Sequence, residues 1–483
     1  MYKLNFDDTI TAISTPLGES GIGMVRLSGK EAIKIADRIF LPKDGSKPSR
    51  YRSFSIHYGH ILDSNQKPVT RNQNKPKHCI VHKKNRRIID EVLLTVMRAP
   101  RTYTKEDIVE INCHGGIVPL RRILDLAIKK GARLAGPGEF TLRAFLNGRI
   151  DLAQAEAVLD IVKAKTEASL ELACRQLEGK FSQIIKALKK SLVDVFAEVE
   201  AEIDFPEEDL KFKPNQRIMK EIGRVKNEVD KLLAKAEQGI ILKEGISVVI
   251  AGKPNVGKSS LMNILLNRER SLVTPVAGTT RDTIEETANI GGIPLKLVDT
   301  AGISRPRDLV EKKAIERSHN ALKSADLVLF MLDGSRKFSP EDGKIFNMIT
   351  AKPKIILVNK IDLPQKFSLS KVKGLFPKEK IFAISCLTQK GIDKLGKRIR
   401  DLILGGKVLN PEGYLVTNLR HKEALSKTRT SLEKALAAFR DRFPLEFIVL
   451  DLKESTESLG EILGETVPDD ILEKIFSQFC VGK

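Results

Sequence analysis

Apolar positions along the chain fall into three successive textures. Up to about residue 147, short β-branched runs at 22–26, 92–96 and 108–111 alternate with Gly, Pro and one helical stretch at 120–130. That mixture predicts an α+β domain. Within it, residues 65–85 are polar and basic with two prolines and predict a mobile surface insertion. From Asp151 the period turns helical. Asp151 is placed to cap a helix with Gln154 returning the bond, and 153–165 holds good helix formers without a breaker. Ile218, Ile222, Val225, Val229, Leu232 and Ala236 then recur at spacings of 4, 3, 4, 3 and 4, the seam of a bundle helix. From Gly245 to about Leu404, β-branched strands alternate with helices, which predicts a parallel sheet, and helical texture resumes from about His421. The pattern therefore predicts segments 1–147, 148–243, 245–404 and 405–483, with a compact α/β unit inserted into a helical domain. The fold class is multidomain α/β plus α.

Composition narrows the function. The 483 residues carry 82 Lys and Arg against 62 Asp and Glu, a net charge of +20, with 41% apolar and 30% charged residues. These fractions fit soluble globular domains and exclude collagen-like and wholly disordered chains. No apolar run approaches the roughly 18 residues of a membrane span. The first residues lack the apolar segment of a secretory signal, so a cytoplasmic protein without membrane association is expected. Cys79, Cys113, Cys174, Cys386 and Cys480 are odd in number and scattered, which points to a reducing compartment. The basic charge favours a phosphate-rich partner such as RNA. Aromatics make up 5% and Trp is absent, so that contact is expected to be electrostatic and shape-based rather than a stacking platform.

The chemistry concentrates in the third segment. The strand 246–250 runs into Gly252-Lys-Pro-Asn255-Val256-Gly257-Lys258-Ser259-Ser260, which satisfies GxxxxGK[ST] between a strand and a helix. Backbone N–H groups there close around phosphate oxygens, Lys258 reaches the β- and γ-phosphates, and the Ser259 hydroxyl ligates Mg²⁺. Three motifs follow on later strand ends. Asp299-Thr300-Ala301-Gly302 holds Mg²⁺ through water and senses the γ-phosphate. Asn359-Lys360-Ile-Asp362 offers a carboxylate to the two donors of guanine, which adenine lacks. Ser385-Cys386 supplies a main-chain N–H to the guanine oxygen. This order predicts a GTPase. Ile303 stands where many small GTPases carry a water-orienting Gln. A monovalent cation near Asn255 and the Thr hydroxyls of 278–282 would neutralise developing charge in its place.

Over nearly its whole length the chain resembles the MnmE (TrmE) family of tRNA-modification GTPases. The stretches carrying the resemblance are 15–26, 106–116, 137–140, 145–157, the G motifs and the terminal Phe479-Cys480-Val481-Gly482-Lys483. The resemblance implies an N-terminal tetrahydrofolate-binding domain that dimerises, and a helical domain split around a Ras-like G domain. It implies K⁺-dependent GTP hydrolysis, and a homodimer joined by an MnmG-like FAD protein in a heterotetramer. Together they modify C5 of the wobble uridine of certain tRNAs, adding an aminomethyl or carboxymethylaminomethyl group from 5,10-methylene- or 5-formyl-tetrahydrofolate.

By the same resemblance, Asn255, Thr274, Val276 and Thr279 match K⁺ ligands, and Ser259 and Thr280 match Mg²⁺ ligands. Glu311, on its own a solvated residue at a helix start, falls at the family's catalytic carboxylate, which acts on water through a bridging water, and Lys258 is the other catalytic residue. Arg26, Glu110, Arg149 and Lys483 match folate contacts, which suits a pterin's paired donors and an anionic glutamate tail. Cys480 is a candidate functional thiol. Ser304 replaces the usual Arg of the second switch, and Cys386 replaces the usual Ala of the guanine loop. His57, His60, His78, Cys79 and His82 lack paired ligand spacing and read as incidental rather than as a zinc site. The alternative function is a GTP-switched ribosome-assembly factor of the Era type, which would share the G domain and the charge but lacks these terminal modules.

Overall fold

The computed structural model describes residues 7–63, 81–82, 86–204, 216–268, 286–299, 322–366, 369–377, 379–404 and 416–483; residues 81, 82, 86, 268, 286, 299 and 369 are described by backbone alone. These residues form two compact units, one of 7–159 with Leu463–Lys483 and the other lying between them in sequence. Most of the 65–85 insertion lies outside the described residues; Val81–His82 pairs with Arg86 and Arg87. Among the described residues no helix is long and apolar enough to cross a membrane.

The first unit is built on an eight-stranded sheet. Its strands are β1 (Ile10–Ile13), β2 (Ser20–Ser28), β3 (Phe40–Pro42), β4 (Ser55–Asp63), β5 (Val81–His82), β6 (Arg86–Met97), β7 (Ile108–Gly115) and β8 (Arg133–Leu134). Their order is β3-β4-β6-β7-β2-β1-β8, with β5 on β6. Alternation decides the faces: Val25, Leu27, Leu94, Val96, Val109 and Ile111 are buried with apolar residues of the helices Ala32–Ile39 and Ile117–Lys129. Arg26 and Glu110, one step out of phase, therefore lie on the other face. The predicted segment 405–483 divides here. The helix Asp469–Phe476 and the tail belong to this first unit, because Phe476 and Phe479 bury themselves against Ala144, Ile150, Leu152 and Ala155.

The second unit joins long helices to a six-stranded sheet. Asp151 and Gln154, at the end of the first unit, form the predicted reciprocal cap, each backbone N–H donating to the other's side-chain oxygen at 3.1 and 3.0 Å. The helix it opens, Leu152–Lys163, stops two residues short of the predicted end. Thr166 takes its own capping box with Ser169 and starts Glu167–Leu177 instead. All six residues of the predicted seam are buried in the helix Gln216–Glu244. Lys226 pairs with Glu433 and Lys422 with Glu237, so the helix Leu419–Arg440 lies antiparallel beside it.

The sheet comprises β9 (Ile246–Ala251), β10 (Glu286–Ile290), β11 (Ile293–Asp299), β12 (Leu327–Asp333), β13 (Lys354–Asn359) and β14 (Lys380–Ala383). In the order β10-β11-β9-β12-β13-β14 only β10 runs antiparallel. Every residue of β12 and β13 is buried, as strands covered on both faces require. The carboxyl ends of β9, β11, β12 and β13 thus point to one edge, where ligands bind in such sheets.

Candidate functional site

At that edge β9 gives way to the loop 252–257 and the helix Lys258–Arg268. Two glycines are irreplaceable on geometry. Gly252 has φ +153°, and a Cβ there would lie 2.5 Å from Met331 O; Gly257 has φ +105°, and its Cβ would lie 2.3 Å from Asn359 Nδ2. Lys258, 7% exposed, donates from Nζ to Gly252 O at 3.1 Å and to Lys253 O at 3.0 Å. The ammonium therefore crosses the mouth of the loop, where an anionic phosphate would be met by charge and by N–H groups of a helix start. Ser259 and Ser260 are exposed in the first turn, and Asn255 is exposed on the loop with φ +63°.

The guanine-type loop closes over this cradle. Asn359 is buried; its Nδ2 donates to Val256 O at 2.8 Å and its Oδ1 accepts from Cys386 N at 3.0 Å. The Cys386 amide thus orients Asn359, and burial pushes the Cys386 thiol up to about 11, so it stays protonated. Asp362 is exposed, with Oδ1 accepting from the buried Ser385 hydroxyl at 2.5 Å. Its carboxylate faces outward from the loop on a fixed support. Lys360 Nζ donates to Asn255 O at 2.9 Å and to Asp333 Oδ2 at 2.7 Å. Asp333 is a member of the site that sequence reasoning missed. Its only signal was a lone carboxylate closing the otherwise apolar strand β12.

Several predicted residues lie outside the described residues: Thr274, Val276, Thr279, Thr280, Thr300, Ala301, Gly302, Ser304 and Glu311. Asp299 ends β11, described by backbone alone.

A second cluster forms in the first unit. Arg26 and Glu110 are register partners on β2 and β7, and Arg26 Nε donates to Glu110 Oε1 at 2.8 Å. The C-terminal tail comes to them. Arg26 Nη1 and the Ser14 hydroxyl both donate to Gly482 O, at 3.3 and 3.1 Å, and Val481 bridges Pro137. Gly482 has φ +95°, and a Cβ there would lie 2.5 Å from Ile13 O. The Cys480 carbonyl accepts from Gly138 N at 3.4 Å, while the residue is exposed. The Arg26 guanidinium sits 5.7 Å from the Phe140 ring and that of Arg149 4.7 Å from Tyr103. Phe140 and Tyr103 share one small apolar cluster. Beneath it Arg143, 1% exposed, is ringed by Asp8, Glu106 and Glu139, with Arg133 bridging Asp8 and Glu139.

A phosphate cradle at the end of the first sheet strand, roofed by an NKxD loop on β13, defines a G domain of the P-loop GTPase class. Residues 9–149 match the family described as GTP-binding protein TrmE N-terminus, and residues 152–480 match the MnmE helical domain. The tRNA modification GTPase MnmE of Geobacillus kaustophilus (strain HTA426) is 45% identical over 477 residues, 99% of each chain. Its namesake in Geobacillus thermodenitrificans (strain NG80-2) is 46% identical over the same shares. The chain belongs to the MnmE (TrmE) family.

Proposed function

We propose that this protein is the GTP-hydrolysing component of a tRNA-modifying complex. The observation that carries the reading is end-to-end similarity to tRNA modification GTPases, 99% of both chains, together with the cradle and guanine loop described above. The reaction proposed is addition of an aminomethyl or carboxymethylaminomethyl group at C5 of the wobble uridine, with tetrahydrofolate supplying the carbon. The ribosome-assembly alternative is weaker, because both the N-terminal 9–149 and the helical 152–480 segments match modules of this family.

In this reading Asn255, Val256, Gly257, Lys258, Ser259 and Ser260 hold the phosphates, and Asp362 selects guanine with Asn359, Lys360, Ser385 and Cys386 behind it. Ser259 with Thr280 would hold Mg²⁺; hydroxyls are the hard donors that ion takes, and Ser259 is exposed in the loop's first helical turn. Asn255 with Thr274, Val276 and Thr279 would hold K⁺, and Glu311 would act on water. Arg26, Glu110, Arg149 and Lys483 would hold the folate. The fit is chemical: Glu110 meets Arg26 through Oε1, and among the described residues its Oε2 takes no partner, which leaves an acceptor for a pterin's donors. The working assembly proposed is a cytoplasmic homodimer that meets an MnmG-like FAD protein and tRNA. The segments proposed as modules are 1–147 for folate, completed by the last helix and tail of 405–483, 148–243 with the rest of 405–483 for the helical frame, and 245–404 for GTP.

Nucleoside mass spectrometry of tRNA from a strain lacking the gene tests this. Loss of the C5 modification at the wobble uridine, restored by the parental gene but not by Glu311→Ala, is expected. Unchanged nucleosides in the deletion strain would end the proposal.

A further inference from the structure

The guanine loop and the phosphate loop are laced together at two successive positions. Asn359 holds Val256 O, and Lys360 holds Asn255 O. Both ends of the second bond have left-handed backbones, φ +66° at Lys360 and +63° at Asn255. A lysine adopts that conformation at a cost of about 1 kcal/mol and keeps it where its surroundings hold it, whereas an asparagine visits it more readily.

The Lys360 main chain is held by Gln365 Nε2 and Leu363 N, which both donate to its carbonyl, and its side chain is held by Asp333. Asp333 Oδ2 accepts from the Lys360 ammonium at 2.7 Å. Its Oδ1 accepts from the Ser335 N–H at 2.9 Å and the Ser335 hydroxyl at 2.6 Å. The Asp333 side chain is 4% exposed, whereas Lys360 is 29% exposed and would otherwise have water to turn to. Arg336 stands off at 3.7 Å and is largely exposed. Burial works against the Asp333 charge, but the bonds from Lys360 and Ser335 outweigh it and hold the carboxyl below its ordinary range. A rigid, ionised acceptor at the end of β12 thus aims the lysine across to the loop after β9.

We infer that Asp333 is a positioning residue: acting through Lys360, it fixes the main chain at Asn255 and so couples capture of the guanine base to the monovalent-cation requirement of hydrolysis. The logic is mechanical. Base binding beside Asn359 and Asp362 stiffens the same loop whose lysine pins Asn255 O. With the Asn255 backbone pinned, its side chain and the amides around it stay where a cation and the phosphates need them. Without Asp333, Lys360 is free to swing into solvent and Asn255 to relax out of the left-handed region. Base affinity and cation affinity should then fall together. The inference rests on the K⁺-assisted GTPase reading given above.

The test uses the full chain with Asp333→Ala, Asp333→Asn and, as a structural control, Glu379→Ala. Glu379 pairs at 3.2 Å with the buried Lys354, the first residue of β13, at the end away from the nucleotide. Two quantities are read: the Kd for a fluorescent GDP analogue, and the KCl concentration giving half-maximal GTP hydrolysis at saturating GTP. Asp333→Ala is expected to raise the Kd roughly tenfold, the scale of one charge-assisted bond, and to raise the half-saturating KCl several-fold. At saturating KCl its kcat should stay within about a factor of two, since a group acting on cation binding is bypassed by mass action. Asp333→Asn keeps an oxygen for Lys360 and should recover part of both losses. Glu379→Ala should lower the melting temperature and move neither quantity.

Wild-type KCl dependence in Asp333→Ala overturns the coupling, as does an equal rise in Glu379→Ala. If Asp333→Ala does not fold, Asp333→Asn must still raise the half-saturating KCl at least about twofold, and a parental value in it overturns the inference. A parent protein that binds no GDP analogue, or hydrolyses GTP equally in KCl and NaCl, sinks the underlying reading instead. That outcome is visible before any variant is made.

Discussion

At the scale of single residues, the nucleotide site depends on where side-chain oxygens and nitrogens are spent. Ser385 commits its hydroxyl proton to Asp362 Oδ1, and Asn359 commits both ends of its amide, one to Val256 and one to Cys386. Asp362→Asn keeps an Oδ1 that accepts from Ser385, so the loop should hold its shape while the base edge changes from acceptor to mixed donor and acceptor. The expected result is a fall of about a hundredfold or more in GDP affinity, with a gain for xanthosine diphosphate, measured by competition for one fluorescent nucleotide. Equal GDP affinity in parent and variant would remove Asp362 from base recognition. Motif spacing made Asp362, Asn359 and Lys258 legible in the sequence. Asp333 was not legible as a site residue, because Lys360 lies 27 residues away and a lone carboxylate closing β12 does not name its partner.

At the scale of elements, the helix Gln216–Glu244 owes its place to one apolar stripe. Ile222 is fully buried on that stripe, and Lys220 is exposed two residues earlier. Ile222→Ala should cost about 3 kcal/mol through lost burial and a residual cavity. Lys220→Ala should stay within about 0.5 kcal/mol. Urea midpoints of the two variants, measured side by side, check this; equal midpoints would mean the stripe does not face a packed core. The helix Leu152–Lys163 shows where pattern reading reaches its limit. Nothing in the apolar period stops it at Lys163; the stop comes from Thr166, whose side chain caps the next helix by accepting from Ser169 N.

At the scale of the whole molecule, the charge network of Asp8, Glu106, Arg133, Glu139 and Arg143 is expected to make the first unit acid-sensitive. Burial of Asp8 opposes its ionisation, yet Arg133 and Arg143 hold its carboxyl below the ordinary value of 3.8. Burial likewise opposes the charge of Glu139, and Arg133 and the Gly136 N–H hold it below 4.5. Groups with depressed folded-state pKa values stabilise fully above their unfolded values and lose that contribution as pH falls through the folded ones. The first unit should therefore keep its stability down to about pH 5 and lose it progressively below 4.5. Hydrogen exchange of the helix Glu139–Leu146 reports this locally. Glu139→Gln should exchange faster at neutral pH but show a shallower acid dependence than the parent. An identical acid profile would mean the network titrates without effect on folding.

What the sequence determined by itself is local in origin. The reciprocal cap of Asp151 and Gln154, the seam of 218–236, the strand–loop–helix of the phosphate cradle and the order of the G motifs are all set by residues a few positions apart, whose periods and turn chemistry act before any tertiary contact forms. Tertiary structure decided which distant pieces meet. Helical texture ran unbroken to the C-terminus, but texture does not state which core a helix will bury its apolar face against. Phe476 and Phe479 chose the first unit, which carries Gly482 O to Arg26, 456 residues away. Sheet register placed Arg26 opposite Glu110, and the parallel order of β9, β12 and β13 brought Asp333, Lys360 and Asn255 to one edge. Such contacts are fixed by the burial of strands and helices far apart in the chain, so their side chains become partners only once the whole unit has closed.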